Sequence, residues 1–163
     1  MFYDCLKSEI GTIHLLADDV GLRQLTLSLH HPFEQSLDWV QSSVELEPYK
    51  AQIQEYLAGE RRYFTLPLAP DGSEFQHKVW QHIEQIPFGE TRSCGELAAM
   101  LANPHAMRAI IMAANVNPIP IIIPCHRVTA IDGNSTHYHY GAEIRAQLLS
   151  LEKNQPERNI ASA

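Results

Sequence analysis

A chain of 163 residues that is 45% hydrophobic can bury one ordinary core or two small ones, which excludes wholesale disorder. No stretch approaches the ~20 apolar residues of a membrane span, and Met1-Phe2-Tyr3-Asp4 lacks the basic-then-apolar pattern of a secretory leader, so no membrane partner is expected. The net charge of −7 disfavours nucleic acid by its sum, but residues 1–72 carry 5 Lys/Arg against 11 Asp/Glu while residues 73–163 carry 7 against 8.

Ile10 to Ala17 is a strand-like run, Asp18-Asp19-Val20-Gly21 is turn chemistry, and Leu22 to Leu27 alternates apolar with polar. Together they predict a hairpin. Glu47 to Tyr56 reads as a helix ending near Gly59, and residues 64–73, with two prolines and Asp71-Gly72, read as a connector. Ser73 can cap the next helix, on which Phe75, Val79, Trp80 and Ile83 share a face, and Pro87-Phe88-Gly89 ends it. Ser93 and Glu96 form a capping box for a short helix, Gly95 to Leu101. Asn103-Pro104 then supplies a cap and first-turn proline for a helix of roughly Pro104 to Ala114. The pair is either a helix-turn-helix or plain helical packing. From Pro104 to Val128 there are two arginines, two histidines and no acid, which suits a locally positive surface or an uncharged, partly buried segment.

Asn117-Pro118-Ile119-Pro120 breaks the second helix, and the buried apolar run Ile121-Ile122-Ile123 delivers Pro124-Cys125-His126-Arg127-Val128. A loop rich in His, Ser and Tyr follows, then an amphipathic helix, Ala142 to Lys153, expected to turn Ile144, Leu148 and Leu151 inward. The expected organisation is an α/β lobe with connector over 1–72, a mainly helical domain over 73–155 and a tail over 156–163. Three cysteines, Cys5, Cys94 and Cys125, point to reduced thiols and a cytoplasmic location. Cys5 with His14, His30 or His31 fits no standard zinc spacing, so no metal is expected.

Cys125 carries the chemical interest. A thiol with its usual pKa of about 8.5 is mostly protonated at neutral pH and needs a base or a positive neighbourhood to become a nucleophile. His126 and Arg127 follow directly, although side chains at adjacent positions diverge. An inert cysteine after an apolar run is the competing reading, since cysteine is among the most buried residue types.

The segment Asn117 to Val128, with its Pro-Cys-His-Arg-Val core and upstream Asn-Pro-Ile-Pro, resembles the active-site signature of the O6-alkylguanine-DNA alkyltransferases, or methylated-DNA–protein-cysteine methyltransferases. Phe75 to Trp80, Ile86 to Thr91 and Gly95 to Ala98 resemble the family in order and spacing, as do Ile10-Gly11 and Gly21-Leu22 in the N-terminal part. The resemblance implies a ribonuclease-H-like N-terminal lobe with an antiparallel sheet and a helical lobe with a helix-turn-helix. It implies that Cys125 accepts the alkyl group, that His126 is its base through a bound water, and that Glu152 polarises His126. Asn117 would be a hinge residue bonding nearby backbone, and Arg127 a structural tie between loops. The carbonyls of Cys125 and Val128 would receive the guanine amino group. The partner implied is double-stranded DNA carrying O6-alkylguanine. The target base must be flipped out of the duplex, with Arg108 filling the gap and Met107, Ala109 and Ile111 on the groove-facing helix. No cofactor is needed because the sulfur keeps the alkyl group, and a monomer is expected.

Three positions depart from the family pattern. Cys94 stands where a tyrosine is usual among the DNA-contacting residues, which implies slower flipping or transfer unless Tyr138 or Tyr140 compensates. Met107, Ile111 and Met112 are bulky for a helix that approaches a groove closely, which implies weak DNA affinity. In Thr136-His137-Tyr138-His139-Tyr140-Gly141, Tyr138, His139 and Tyr140 would line the substrate pocket, and Tyr140 replaces a glycine, which implies preference for methyl over benzyl. Two other functions stay open: a DNA-binding module that recognises alkylguanine and signals, and a thiol hydrolase built on Cys125, His126 and Glu152.

Overall fold

Alternating side chains at the N-terminus build a sheet against a single helix. The computed structural model describes residues 1–29, 33–130 and 138–154, and the chain divides into two units, Met1–Asp71 and Gly72–Gln155. His30 and His31, the segment 131–137 with Thr136 and His137, and the tail 156–163 lie outside the described residues.

In the first unit, β1 (Phe2–Ser8), β2 (Gly11–Ala17), β3 (Leu22–Ser28) and β4 (Val40–Gln41) form one sheet in the order β3-β2-β1-β4. The expected hairpin is β2–β3, and β1–β2 is also antiparallel, whereas the short β4 runs parallel to β1. Leu6, Ile13, Leu15, Leu25 and Leu27 are buried on the face that receives α1 (Ser43–Leu57) through Leu46, Ile53 and Tyr56. The helix starts four residues before Glu47 because Ser42 caps it, accepting from the Glu45 amide, and Pro48 is tolerated inside it. β1 hides from a pattern reading because its inward face includes Asp4, buried and paired with Lys50 of α1 at 2.8 Å.

The connector is not free of β structure. Leu22 N–H donates to the Pro67 carbonyl at 2.9 Å and Ala69 N–H to the Leu22 carbonyl at 2.8 Å, closing the outer edge of β3. A Cβ at Gly21 would lie 2.6 Å from the Pro67 oxygen. Gly21→Ala should therefore force the connector off the strand and destabilise the chain by about 1–3 kcal/mol, read as a lower urea midpoint.

The second unit is mainly helical: α2 (Glu74–Glu84), α3 (Cys94–Met100), α4 (Met107–Asn115) and α5 (Ala142–Lys153), with a two-strand ribbon of β5 (Arg92–Ser93) and β6 (Val128–Thr129). Ser73 and Ser93 both complete capping boxes, with Gln76 and Glu96. Trp80 joins α2 to α4 by donating its indole N–H to the Ala113 carbonyl at 2.9 Å. The expected start of α4 at Pro104 is corrected to Met107. Ala102 takes a left-handed φ of 53° and the Asn103 amide closes the end of α3 on the Ala98 carbonyl at 2.9 Å. Asn103 belongs to the end of α3, and the N-cap position of α4 falls to Ala106, which has no side chain able to cap.

Candidate active site

The acceptor segment is set by its prolines and by Asn117. After α4 ends, the Asn117 carboxamide donates to the Ile123 carbonyl at 2.8 Å and accepts from the Ile119 amide at 2.9 Å, bracketing the Pro118–Ile123 turn. Ile121 inside that turn has φ 76°, a conformation that costs a β-branched residue about 1–3 kcal/mol and persists only because the surroundings enforce it. Ile119, Ile121, Ile122 and Ile123 are all buried. A 3₁₀ turn, Cys125–Arg127, follows and leads into β6, whose Val128 pairs with Arg92 of β5. Through this ribbon the start of α3 and the acceptor segment share backbone registration.

Cys125 is 6% exposed. Burial pushes its thiol up to about 11, against hydrogen bonds from the Asn117 side chain and the Cys125 and His126 backbone that favour the thiolate. The resting sulfur is therefore a protonated thiol that must lose its proton during reaction. His126 is fully buried, and burial lowers its pKa, so the imidazole is neutral.

The carboxylate of Glu152, on the last turn of α5, fixes the tautomer. Its side chain is 0% exposed. Burial alone would raise its pKa, but hydrogen bonds from His126 and Arg127 outweigh this and hold it at about 2. An ionised carboxylate only accepts, so the His126 Nε2 at 2.7 Å from Oε2 carries the proton. Nδ1 then presents a lone pair, and it is buried without a hydrogen-bond partner. No hydrogen bond joins the imidazole directly to the thiol among the described residues. Arg127, expected as a loop tie, does more than that. Its Nε donates to Glu152 Oε1 at 2.8 Å and one terminal nitrogen to Oε2 at 3.0 Å. The other reaches the Ile86 carbonyl at 2.8 Å. The Gly89 amide adds a bond to Oε1 at 3.2 Å.

The structure thus brings Asn117, Cys125, His126 and Glu152 together. Arg108 and Ala109 are exposed on α4, with Met107 and Ile111 half-buried and Met112 exposed beside them. Cys94, expected among the DNA-contacting residues, is 1% exposed as the first residue of α3. Val128 and Tyr138 are buried, His139 is exposed, and the half-buried Tyr140 meets the Tyr138 ring edge-on at 6.1 Å between centroids. Leu151, expected inward on α5, is half-buried, and Arg145 and Glu152 occupy the buried face with Ile144 and Leu148. Arg145 escaped sequence reasoning because a charged residue in an amphipathic helix is assigned to the solvent side. Among the described residues no group of three His, Cys, Asp or Glu could hold a metal ion, and no helix is long and apolar enough to cross a membrane.

Two family models match. Residues 74–154 match the DNA-binding domain of 6-O-methylguanine DNA methyltransferase, and residues 1–70 match its ribonuclease-like domain. The methylated-DNA–protein-cysteine methyltransferase of Methanosarcina barkeri is 41% identical over 155 residues, covering 94% of this chain and 98% of its own. The constitutive enzyme of that name from Bacillus subtilis is 37% identical over 161 residues, covering 93% and 95%. Among solved structures, Mycobacterium tuberculosis OGT in complex with DNA superposes with a TM-score of 0.87 at 35% identity, covering 95% of this chain and 94% of that one.

Proposed function

The chain belongs to the 6-O-methylguanine DNA methyltransferase family, and on that premise we propose that it repairs DNA by moving the alkyl group from O6 of guanine onto Cys125, once per molecule. The observation that carries this reading is the buried chain Cys125, His126, Glu152, in which Glu152 holds the imidazole with its free lone pair on Nδ1. The S–C bond forms as the C–O6 bond breaks, the electron pair leaves on the purine, and the thiol proton is taken by His126. Asn117, whose side chain favours the thiolate over the thiol, stabilises the sulfur as charge develops. The product thioether is stable, so no cofactor is required and turnover stops at one.

The alkyl carbon is inaccessible inside a duplex, so the nucleotide is extruded at a cost of a few kcal/mol. The exposed face of α4, with Arg108 and Ala109 and flanked by Met107 and Ile111, is the surface that meets the DNA. Arg108 is the residue to occupy the gap in the stack. The carbonyls of Cys125 and Val128 receive the guanine amino group, and Tyr138, His139 and Tyr140 line the pocket. A monomer in the cytoplasm, where thiols stay reduced, suits a nucleophile that works once.

The test is incubation with duplex DNA carrying one O6-methylguanine, followed by intact mass and peptide mapping. A gain of one CH₂ per chain, located on Cys125, is expected. Retention on the alkylated duplex without a mass change would instead favour the binding-only reading. Repeated turnover of a chromogenic ester would favour a thiol hydrolase. The same assay with O6-benzylguanine should run at least about tenfold slower than with methyl, because the Tyr140 ring stands at the pocket lip. Tyr140→Gly should narrow that gap, and equal rates in the parent protein would remove the assignment.

A further inference from the structure

Among the described residues of the second unit, three polar side-chain atoms are buried without a hydrogen-bond partner: Nδ1 of His126, the hydroxyl of Tyr138 and Nε of Arg145. The first is the base described above. The other two belong to residues only 9% and 8% exposed. Arg145 is a buried cation with no acid beside it among the described residues. Among the described residues its side-chain hydrogen bond is a long 3.4 Å contact from a terminal nitrogen to the Val128 carbonyl, and its charge is felt by both Tyr138 and His126. A guanidinium held from water without a carboxylate is costly, and the cost is recovered when negative charge arrives next to it.

The backbone brings the two side chains to one place. The Gly141 amide closes a turn on the Tyr138 carbonyl at 3.0 Å, Gly141 takes φ 95°, and the Arg145 amide begins α5 on the Gly141 carbonyl at 3.2 Å. Tyr138 interacts electrostatically with both Cys125 and Arg145. Burial first, then the field of Cys125, pushes its phenol well above the ordinary value of 10, and Arg145 works against that shift. The phenol is therefore a neutral, buried O–H with no hydrogen-bond partner, within electrostatic reach of the acceptor sulfur.

Resting on the alkyl-transfer reading, we propose that Tyr138 and Arg145 form the leaving-group side of the reaction. The Tyr138 phenol donates to the purine as it departs, and Arg145 is the positioning residue that holds the Val128 carbonyl and balances the charge that develops on the phenol. The atoms and charges close. Sulfur gains the alkyl carbon, the carbon loses O6, and the electron pair stays on the purine. The thiol proton rests on His126 Nδ1 while the phenol proton passes to the purine. The resulting phenolate stands against the Arg145 cation until proton exchange returns His126 and Tyr138 to neutrality. The net change is a thiol and an O6-alkylguanine converted to a thioether and guanine.

Single-turnover transfer from O6-methylguanine in duplex DNA tests the pair. Tyr138→Phe and Arg145→Met are each expected to slow transfer on the order of 100-fold, and the double variant no further, because the two act as one unit. Arg145→Lys, which keeps the charge, should fall between Arg145→Met and the parent. A duplex carrying an electron-poor purine, 8-bromo-O6-methylguanine, needs less help in leaving, so the defects of Tyr138→Phe and Arg145→Met should shrink on it by about tenfold or more. A merely structural role would slow both substrates equally, and that result overturns the proposal. So does a Tyr138→Phe rate within about twofold of the parent. If the parent protein itself transfers no alkyl group, the functional reading fails and takes this inference with it. If the parent transfers and the variants match it, only this inference fails.

Discussion

Cys125→Ser is expected to bring alkyl transfer to an undetectable level while leaving the fold in place. The substitution exchanges sulfur for a slightly smaller oxygen in a site that is 6% exposed, so packing changes little. The chemistry changes entirely. His126 is a weak, buried, neutral base, able to take a proton from a thiol held at about 11, whereas a hydroxyl lies several units beyond it. A loss on the order of 10³-fold or more is the expected result, read as the fraction of chains gaining one CH₂ in a fixed time. Neither remaining thiol should substitute, because Cys94 is sealed in the helical core and Cys5 lies on a strand of the other unit. Methyl found on either cysteine in the variant would mean that the acceptor has been misassigned. Thermal unfolding within a few degrees of the parent is the control for folding.

Glu152→Ala should act on stability and chemistry together. The carboxylate satisfies His126, two of the three Arg127 guanidinium nitrogens and the Gly89 amide. Removing it leaves the buried Arg127 charge without its partner, a loss of about 3–5 kcal/mol. In any molecules that remain folded, nothing fixes the His126 tautomer, and transfer should drop by roughly 10⁴-fold. The same residue sets the acid limit of the fold. Its pKa falls from an ordinary 4.5 to about 2 in the folded chain. Above 4.5 its stabilisation is fully present. As pH falls from 4.5 towards 2 the unfolded chain takes up the proton first, and stability drops by on the order of 3 kcal/mol. His126, whose pKa is also lowered, adds loss in the same direction, beginning as pH falls through 6.5. Cys125 acts at the other end: its raised pKa makes stability fall as pH rises from 9.0 towards about 11. Urea midpoints across these windows should therefore describe a plateau near neutrality. Glu152→Gln should flatten the slope between pH 4.5 and 2, and an unchanged slope in that variant would show that another carboxylate is responsible.

Much of the local architecture was legible from short stretches of chain. Ser73 as a cap and Ser93 with Glu96 as a capping box announced two helix starts, because caps are closed within four residues; the structure adds Gln76 as the partner of Ser73. The β2–β3 hairpin followed from alternation on either side of a turn, and α5 ran over the expected Ala142–Lys153. The start of α4 differs from the expected Pro104 because the left-handed Ala102 and the Asn103 amide bond to Ala98 place Asn103 in the end of α3, and α4 begins only at Met107. β1 was missed because its inward Asp4 breaks the apolar period unless Lys50 is known to lie opposite.

The sequence by itself carried the proline-framed segment Asn117 to Val128 and, through its family resemblance, the expectation of Cys125 as acceptor with His126 as base, since those residues are contiguous. The tertiary structure alone decided that Arg127 clamps Glu152, that Cys94 is interior, and that Arg145 and Tyr138 are buried. The physical reason is that burying a charge is unfavourable for an isolated residue. It becomes tolerable only when folding assembles partners from distant positions, 25 residues apart for Arg127 and Glu152, into one dry, hydrogen-bonded cluster.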